Sequence, residues 1–422
     1  MRANLAYGKT ELTLDLPDAW NAQVVEPAFP PALPEPLRQL GAALEQPIGT
    51  SALREKVKPH STVGIILNDM TRATPNALIL DALLEHLSFL PKQNILLFIA
   101  LGTHRLMSDP ELIELVGVEN YEKFKIIQNN AFNCETQTYL GKSSQGHKIW
   151  INRDLMNCDV KILTGFIEPH FFAGYSGGGK AIMPGMTGLE TILGNHCAAN
   201  IAHPKSTFGS THGNPIWEEI REVARTANAS FLVNVTLNRS QEITGVFAGD
   251  LELAHAVGVE FVRQSAMVAV DGLFDIVVTG NSGHPLDLNL YQAVKGLSAA
   301  SRIVRPGGMI CLAASCWDGI PDHGHFKQFL AEADNPESIL KTIMTPGFRM
   351  QDQWQVQILA QVLQRARVYL YSDHLSDAEI CSALLKPTHD IPGTISQEIL
   401  KLPHPARICV LPQGPQTIPY TV

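Results

Sequence analysis

Short runs of β-branched and apolar residues recur along the chain, separated by longer stretches whose apolar positions return every three or four residues. The first pattern reads as buried strands and the second as amphipathic helices. Residues 62–67, 94–101, 125–128, 159–164 and 231–237 are predicted strands of one series. Residues 274–279, 309–313, 368–371 and 408–411 form a second series that begins near Asp271. Thr74-Pro75 is expected to open a helix, with Thr74 as N-cap, proline in the first helical position and an apolar stripe of Leu78, Leu83 and Leu87. Ser108 to Glu111 has the capping-box spacing of another helix start. The opening reads as a small β-structure or extended arm that ends in the proline-rich stretch Pro27 to Pro36.

Strands alternating with helices predict an α/β fold of two domains, each a mostly parallel sheet flanked by helices, with the active site in the cleft between them. The boundary is placed at residues 265–272, giving domains 1–268 and 269–422. In open α/β sheets a ligand sits beyond the carboxyl ends of the strands. The unusual residues cluster there: Asn68-Asp69, Gly102-Thr103-His104, Gly165 to His170 and Gly280-Asn281 each follow a predicted strand.

Composition narrows the class. At 422 residues with 45% hydrophobic and 17% charged, the chain has ample core material for two domains. A net charge of −9 argues against a general nucleic-acid binder. No apolar run spans a bilayer and Met1 to Trp20 has no signal-peptide core, so a cytoplasmic enzyme is expected. The seven cysteines are scattered without a C-x-x-C and read as reduced thiols.

Candidate chemistry is densest between Glu168 and Gly185. Gly174, Gly177, Gly178 and Gly179 precede Lys180 and would let a phosphate approach the backbone. Gly174 to Lys180 also matches the G-x-x-x-x-G-K phosphate loop, which makes a nucleotide hydrolase the alternative. Against it stand Ala181 in the place of the magnesium-binding Ser or Thr, and Pro169 between the strand and the loop. His104 and His170 at strand ends could exchange protons near neutral pH. His196 is a potential metal ligand one helix beyond Lys180, and His323-Gly-His325 is a rival that reads better as a loop and helix cap. Arg72, before a helix, could hold a carboxylate at two points. Gln292 and Lys295, three apart, share one helix face.

Taken in order, Asp69-x-Thr-Arg, Gly-Thr-His104, Glu-Pro-His170-x-x-Ala-Gly, Gly-Gly-x-Lys180, Asn-His196 and Leu-Tyr-Gln-x-x-Lys295-Gly, with Asp-Gln-Trp354, resemble the nickel-pincer-nucleotide-dependent lactate racemase family. Its members racemise or epimerise 2-hydroxy acids. The resemblance covers nearly the whole chain. It implies a pyridinium-3,5-dithiocarboxylate-type mononucleotide bound covalently to Lys180 and carrying nickel, with His196 as the protein's metal ligand. It implies His104 and His170 as paired acid–base residues, and Arg72, Lys295, Gln292, Tyr291 and Trp354 around the substrate. Asp69, Thr71, Gly177 and Gly178 would contact the cofactor. Ala73 and Gly179 depart from the family pattern, and His284 and Leu288 stand where the pocket is shaped. Cofactor-maturation proteins are implied as partners, and a homodimer is compatible. A non-catalytic cofactor carrier is a third reading, but a carrier has no use for two acid–base histidines.

Overall fold

Val63, Ile65 and Leu67 point to one side of their strand and Ile66 to the other, and all four are fully buried. A strand of this kind must be covered on both faces. In the computed structural model, which describes residues 1–422, it is a central strand, Val63–Asn68. The six-stranded sheet runs Ile243–Gly249, Phe231–Leu237, Val160–Phe166, Val63–Asn68, Ile95–Ala100, Lys125–Gln128. All neighbours are parallel except the antiparallel edge Ile243–Gly249. Leu40, Leu44, Ile79, Leu83 and Leu112, from three helices, cover one face. Ile216, Ile220 and Val223 of the helix Pro215–Thr226 cover the other beside Ile66 and Leu163. Each such fully buried aliphatic side chain contributes about 1.5–3 kcal/mol.

The second sheet is parallel throughout, in the order Lys386–Pro387, Ala366–Tyr371, Val304–Ala313, Phe274–Gly280, Ile408–Leu411, Gln23–Val24. Helices Leu290–Ser301 and Gln353–Arg365 pack on one face. The hairpin of Arg2–Tyr7 and Thr10–Asp15 packs on the other, with Leu5 and Leu14 against Ile276 and Val278. Two α/β units of parallel sheet and helices therefore stand as expected.

The expected division is 1–268 and 269–422, with the boundary at residues 265–272. The opening residues complete the second sheet, because Gln23 and Val24 find a free strand edge at Cys409 and Val410. The chain then passes to the first unit: the Val25 N–H donates to Val410 O (2.9 Å), that of Ala28 to Ser265 O (3.0 Å) and that of Leu33 to Ile243 O (2.7 Å). It returns through Met267–Val270, which runs parallel to Ile418–Thr421.

Local punctuation is largely as read. The Ser108–Glu111 capping box forms at the start of Asp109–Val116. The other helix start shifts by one residue: Asn76–His86 is preceded by Pro75, and Thr74 does not cap it. The Thr74 hydroxyl instead donates to Asn68 Oδ1 (2.8 Å), tying the loop to its own strand end. All seven cysteines are free. No helix is long and apolar enough to cross a membrane.

Candidate active site

In the first sheet the strand order reverses between Val63–Asn68 and Val160–Phe166, which is where a crevice opens at the carboxyl ends. A cleft of about 940 Å³ lies there and is closed from above by the second unit. Asp69 and Arg72 follow the central strand, His104 follows Ile95–Ala100, and Glu168 to Lys180 follow Val160–Phe166. Tyr291, Gln292 and Lys295 enter from Leu290–Ser301, and Trp354 from Gln353–Arg365.

The two histidines are set oppositely. His104 Nδ1 lies 2.6 Å from Asp69 Oδ2, and a carboxylate only accepts, so Nδ1 carries the proton and Nε2 is left bare. His170 sits in a tight hairpin in which Pro169 pairs with Tyr175 and itself with Gly174. Its Nδ1 accepts the N–H of Ala173 (3.2 Å), so the neutral ring carries its proton on Nε2. Phe171 stacks on it (4.9 Å) and Phe172 meets it edge-on (4.5 Å). Burial first, then Lys180, Lys295 and Arg72, holds His170 well below its ordinary value. Burial pushes the Asp69 carboxyl up, but His104, Arg72 and Thr71 outweigh it, and Asp69 lies below the usual carboxylate range.

Three cations share this cleft, and none makes a salt bridge. Arg72 donates only to Thr71, whose hydroxyl in turn donates to Asp69 Oδ1 (2.8 Å). Burial, with Arg72 second, lowers Lys180 to about 7, so much of this amine is neutral and nucleophilic at neutral pH. Burial also lowers Lys295, and it raises the neighbouring Glu168. Buried Gln292 Oε1 and Glu168 Oε2 have no hydrogen-bond partner. Cationic side chains without salt bridges suit an anion, and the orphaned Gln292 and Glu168 oxygens, which only accept, call for a donor such as a hydroxyl.

His196 is fixed by a buried chain. Its Nδ1 lies 2.8 Å from Asn195 Oδ1. The Asn195 amide donates to Glu219 Oε2 (2.9 Å) and Ile216 O (3.1 Å), so its oxygen must accept from His196. His196 therefore presents a bare Nε2, the form that ligates a metal. Burial and Lys180 hold it at about 3, so it is neutral. Glu219 is held by Ser143 and by His147 Nδ1 (2.8 Å). Trp354 meets the His196 ring edge-on at 5.1 Å and donates to the Tyr291 hydroxyl (2.8 Å).

Two family models match, "Lactate racemase N-terminal domain" over residues 7–209 and "Lactate racemase C-terminal domain" over residues 271–418. The chain is 33% identical to a lactate racemase of Thermoanaerobacterium thermosaccharolyticum over 98% of both chains. It is 34% identical to one of Lactiplantibacillus plantarum over 88% of both. The chain belongs to the lactate racemase family. It is an isomerase, a racemase. The apoprotein structure of the Thermoanaerobacterium thermosaccharolyticum lactate racemase superposes with a TM-score of 0.91 at 32% identity, covering 99% of this chain and 100% of that one. A protein of Thermotoga maritima shares the fold, with a TM-score of 0.71 at 19% identity over 92% of this chain and 98% of that one.

Of the residues singled out in the sequence, Asp69, Arg72, His104, His170, Gly177, Lys180, His196, Tyr291, Gln292, Lys295 and Trp354 all line the cleft of this racemase. Two do not. Thr71 bridges Asp69 and Arg72 and faces an adjoining chamber. Gly178 turns away, because its N–H donates to Asn234 Oδ1 (2.7 Å) and a side chain there would strike the His255 ring. The amides of Ser176 and Lys180 are also taken, by Glu168 O and Gly177 O. A phosphate loop needs such amides free and a long helix behind them; here only the short 3₁₀ turn Gly178–Ala181 follows. The nucleotide-hydrolase alternative is therefore not favoured. His323-Gly-His325 holds no metal cluster either: no three His, Cys, Asp or Glu side chains converge anywhere, and the His325 N–H caps onto Asp352.

Sequence reasoning missed the supports. Glu219 and His147 belong to no short motif, and Asn195 was read only as the neighbour of His196. Asn281 was flagged only as following a strand. Its side chain enters one rung of Leu290–Ser301, donating to Gln292 O (3.1 Å) and accepting from the Gly296 N–H (2.9 Å). That pins the turn carrying Gln292 and Lys295. Asn281→Ala is expected to cost about 1–3 kcal/mol in urea unfolding, since buried polar groups lose their partner.

Proposed function

We propose that this racemase inverts the carbinol carbon of a 2-hydroxy acid through a 2-keto acid, using a nickel-pincer nucleotide tethered to Lys180. The observation that carries this reading is the placement of three basic side chains without salt bridges, Arg72, Lys180 and Lys295, in one cleft with two oppositely set histidines. The residues fit such a cofactor: a neutral buried amine to attach it, a bare His196 Nε2 to ligate nickel, and cationic charge to match its phosphate. When bound, the group supplies an electron-poor carbon that accepts the hydrogen leaving the carbinol carbon with its electron pair.

The chain's own residues do the rest. Arg72 and Lys295 hold the substrate carboxylate, with the Gln292 amide beside them. His104 takes the hydroxyl proton at Nε2, and Asp69 stabilises the imidazolium. Burial keeps His170 neutral first and the neighbouring cations second, and a carboxylate between Arg72 and Lys295 cancels part of that second effect. His170 can then carry a proton and give it to the keto oxygen when the opposite configuration forms. In the reverse direction the two rings exchange roles: His170 takes the hydroxyl proton at Nε2 from the tautomer protonated at Nδ1, which requires it to release the Ala173 N–H, and His104 gives its proton to the keto oxygen. Phe171, Phe172 and Trp354 exclude water, which would otherwise compete for the proton.

The test is intact-mass and metal analysis of protein matured alongside its cofactor-maturation proteins, followed by racemisation of 2-hydroxy acids by chiral chromatography. A mass increase on Lys180, about one nickel per chain and inversion are expected. A matured protein with neither adduct nor nickel would remove the reading. Glu219→Gln keeps the shape of the chain behind His196 but weakens its hold on Asn195. Nickel affinity is expected to fall about 10–100-fold while the mass of the Lys180 adduct is unchanged. Competition with a chelator measures it.

A further inference from the structure

A second chamber of about 800 Å³ opens beside the cleft, and Asp69, Thr103, His104, Tyr291 and Gln292 line both. It is therefore continuous with the place where the carbinol carbon would lie. A methyl group needs about the room of one water, roughly 10–15 Å³ of space for a water's centre; on that measure the chamber offers about 70 Å³. Its walls are built from Met107, Pro285, Leu288, Trp317 and Pro321, with His284.

The charged groups on the walls are already engaged. Arg105 forks onto Glu111 at 2.6 and 2.9 Å. Asp352 accepts the His325 N–H (2.9 Å), and Asp318 accepts from Asn289 (3.1 Å). Arg72 and Lys295 do not reach the chamber, so a second carboxylate on the substrate would meet no free guanidinium or ammonium there. Trp317 is 45% exposed at the mouth, an unusual place for so large an apolar surface, and its ring lies parallel to that of His284 at 6.4 Å. These surfaces offer planar faces and apolar area, and the carboxylates among them, Asp318 and Asp352, have no salt-bridge partner and would repel a second carboxylate on the substrate.

We infer that the chamber receives the substrate's side chain and that the preferred substrate is a 2-hydroxy acid bearing an aromatic ring. This rests on the function proposed above. Stacking against Trp317 and contact with Leu288 would hold the ring while Arg72 and Lys295 hold the carboxylate.

The experiment uses the nickel-loaded protein and three probes: 3-phenyllactate, lactate and malate. kcat/KM for 3-phenyllactate is expected to exceed that for either of the others by about tenfold or more. Trp317→Ala should raise KM for 3-phenyllactate about tenfold, leave kcat within about twofold and leave lactate kinetics unchanged. Leu288→Asp, which places a charge in the wall, should lower kcat/KM for 3-phenyllactate more than for lactate. Preference for lactate or malate, or an equal effect of Trp317→Ala on all probes, would overturn the inference and leave the racemase reading in place. Loaded protein that inverts none of the three removes both.

Discussion

Lys180→Ala is expected to give a folded protein that gains neither adduct nor nickel and racemises nothing above background. Lys180 follows a glycine-rich turn that packs against Asn234 and His255, and its side chain lies over the Phe172 ring at 5.7 Å. No ion pair depends on the amine, so its loss costs the fold little. What disappears is the nucleophile. Lys180→Arg should fail equally, since a guanidinium restores charge but stays protonated and cannot be acylated. Burial sets the amine at about 7, which fixes the sign of the pH dependence. Below pH 7 the rate of attachment should fall about tenfold per unit as the amine protonates, and above it the rate should level off. Intact mass against time reads both. Lys180→Ala protein that keeps full activity would sink the mechanism, and attachment independent of pH between about 5 and 8 would remove the role given to the lowered amine.

His104→Ala and His170→Ala should each retain the adduct and nickel while turnover falls about 10²–10⁴-fold, the range for losing a positioned acid or base. The more telling readout is the half-reaction. In the proposed mechanism each enantiomer presents its hydroxyl to one ring, so each variant should still form 2-keto acid from one enantiomer and not from the other. Rapid quench with each pure enantiomer measures this. Keto acid from both enantiomers in both variants would exclude the assignment of one ring per face. Asp69→Asn gives an intermediate case: the amide can hold the His104 ring but cannot stabilise its cation. It should impair the enantiomer that relies on His104 and spare the other.

Much of this site was legible because its polar residues follow strand ends in a doubly wound sheet, and the positions beyond those ends converge by topology. His104, His170 and Lys295 could be placed by that rule and by helix spacing. What escaped was contact between segments distant in sequence. Glu219 reaches Asn195 and His147 from a different helix, and no local pattern marks it among other surface-type glutamates. Gly178 matched a phosphate-loop pattern, yet the conformation that turns its N–H to Asn234 depends on a side chain of another strand. Thr74 had cap chemistry, but Asn68 offered a nearer acceptor. The opening segment was assigned by adjacency along the chain, whereas the free strand edge that captures it lies at residues 408–411.

That capture sets an order of events during synthesis. Gln23 and Val24 have their sheet partner in Cys409 and Val410, and the hairpin before them packs on strands that begin at Phe274. At about 5–20 residues per second, these segments leave the ribosome on the order of tens of seconds before their neighbours. The unit containing Val63–Asn68 can assemble meanwhile, but the second sheet gains its outer strand only once Cys409 and Val410 have been made. Closure of that sheet therefore comes after the first unit can fold, and loss of Ile408–Leu411 leaves Gln23 and Val24 unpaired.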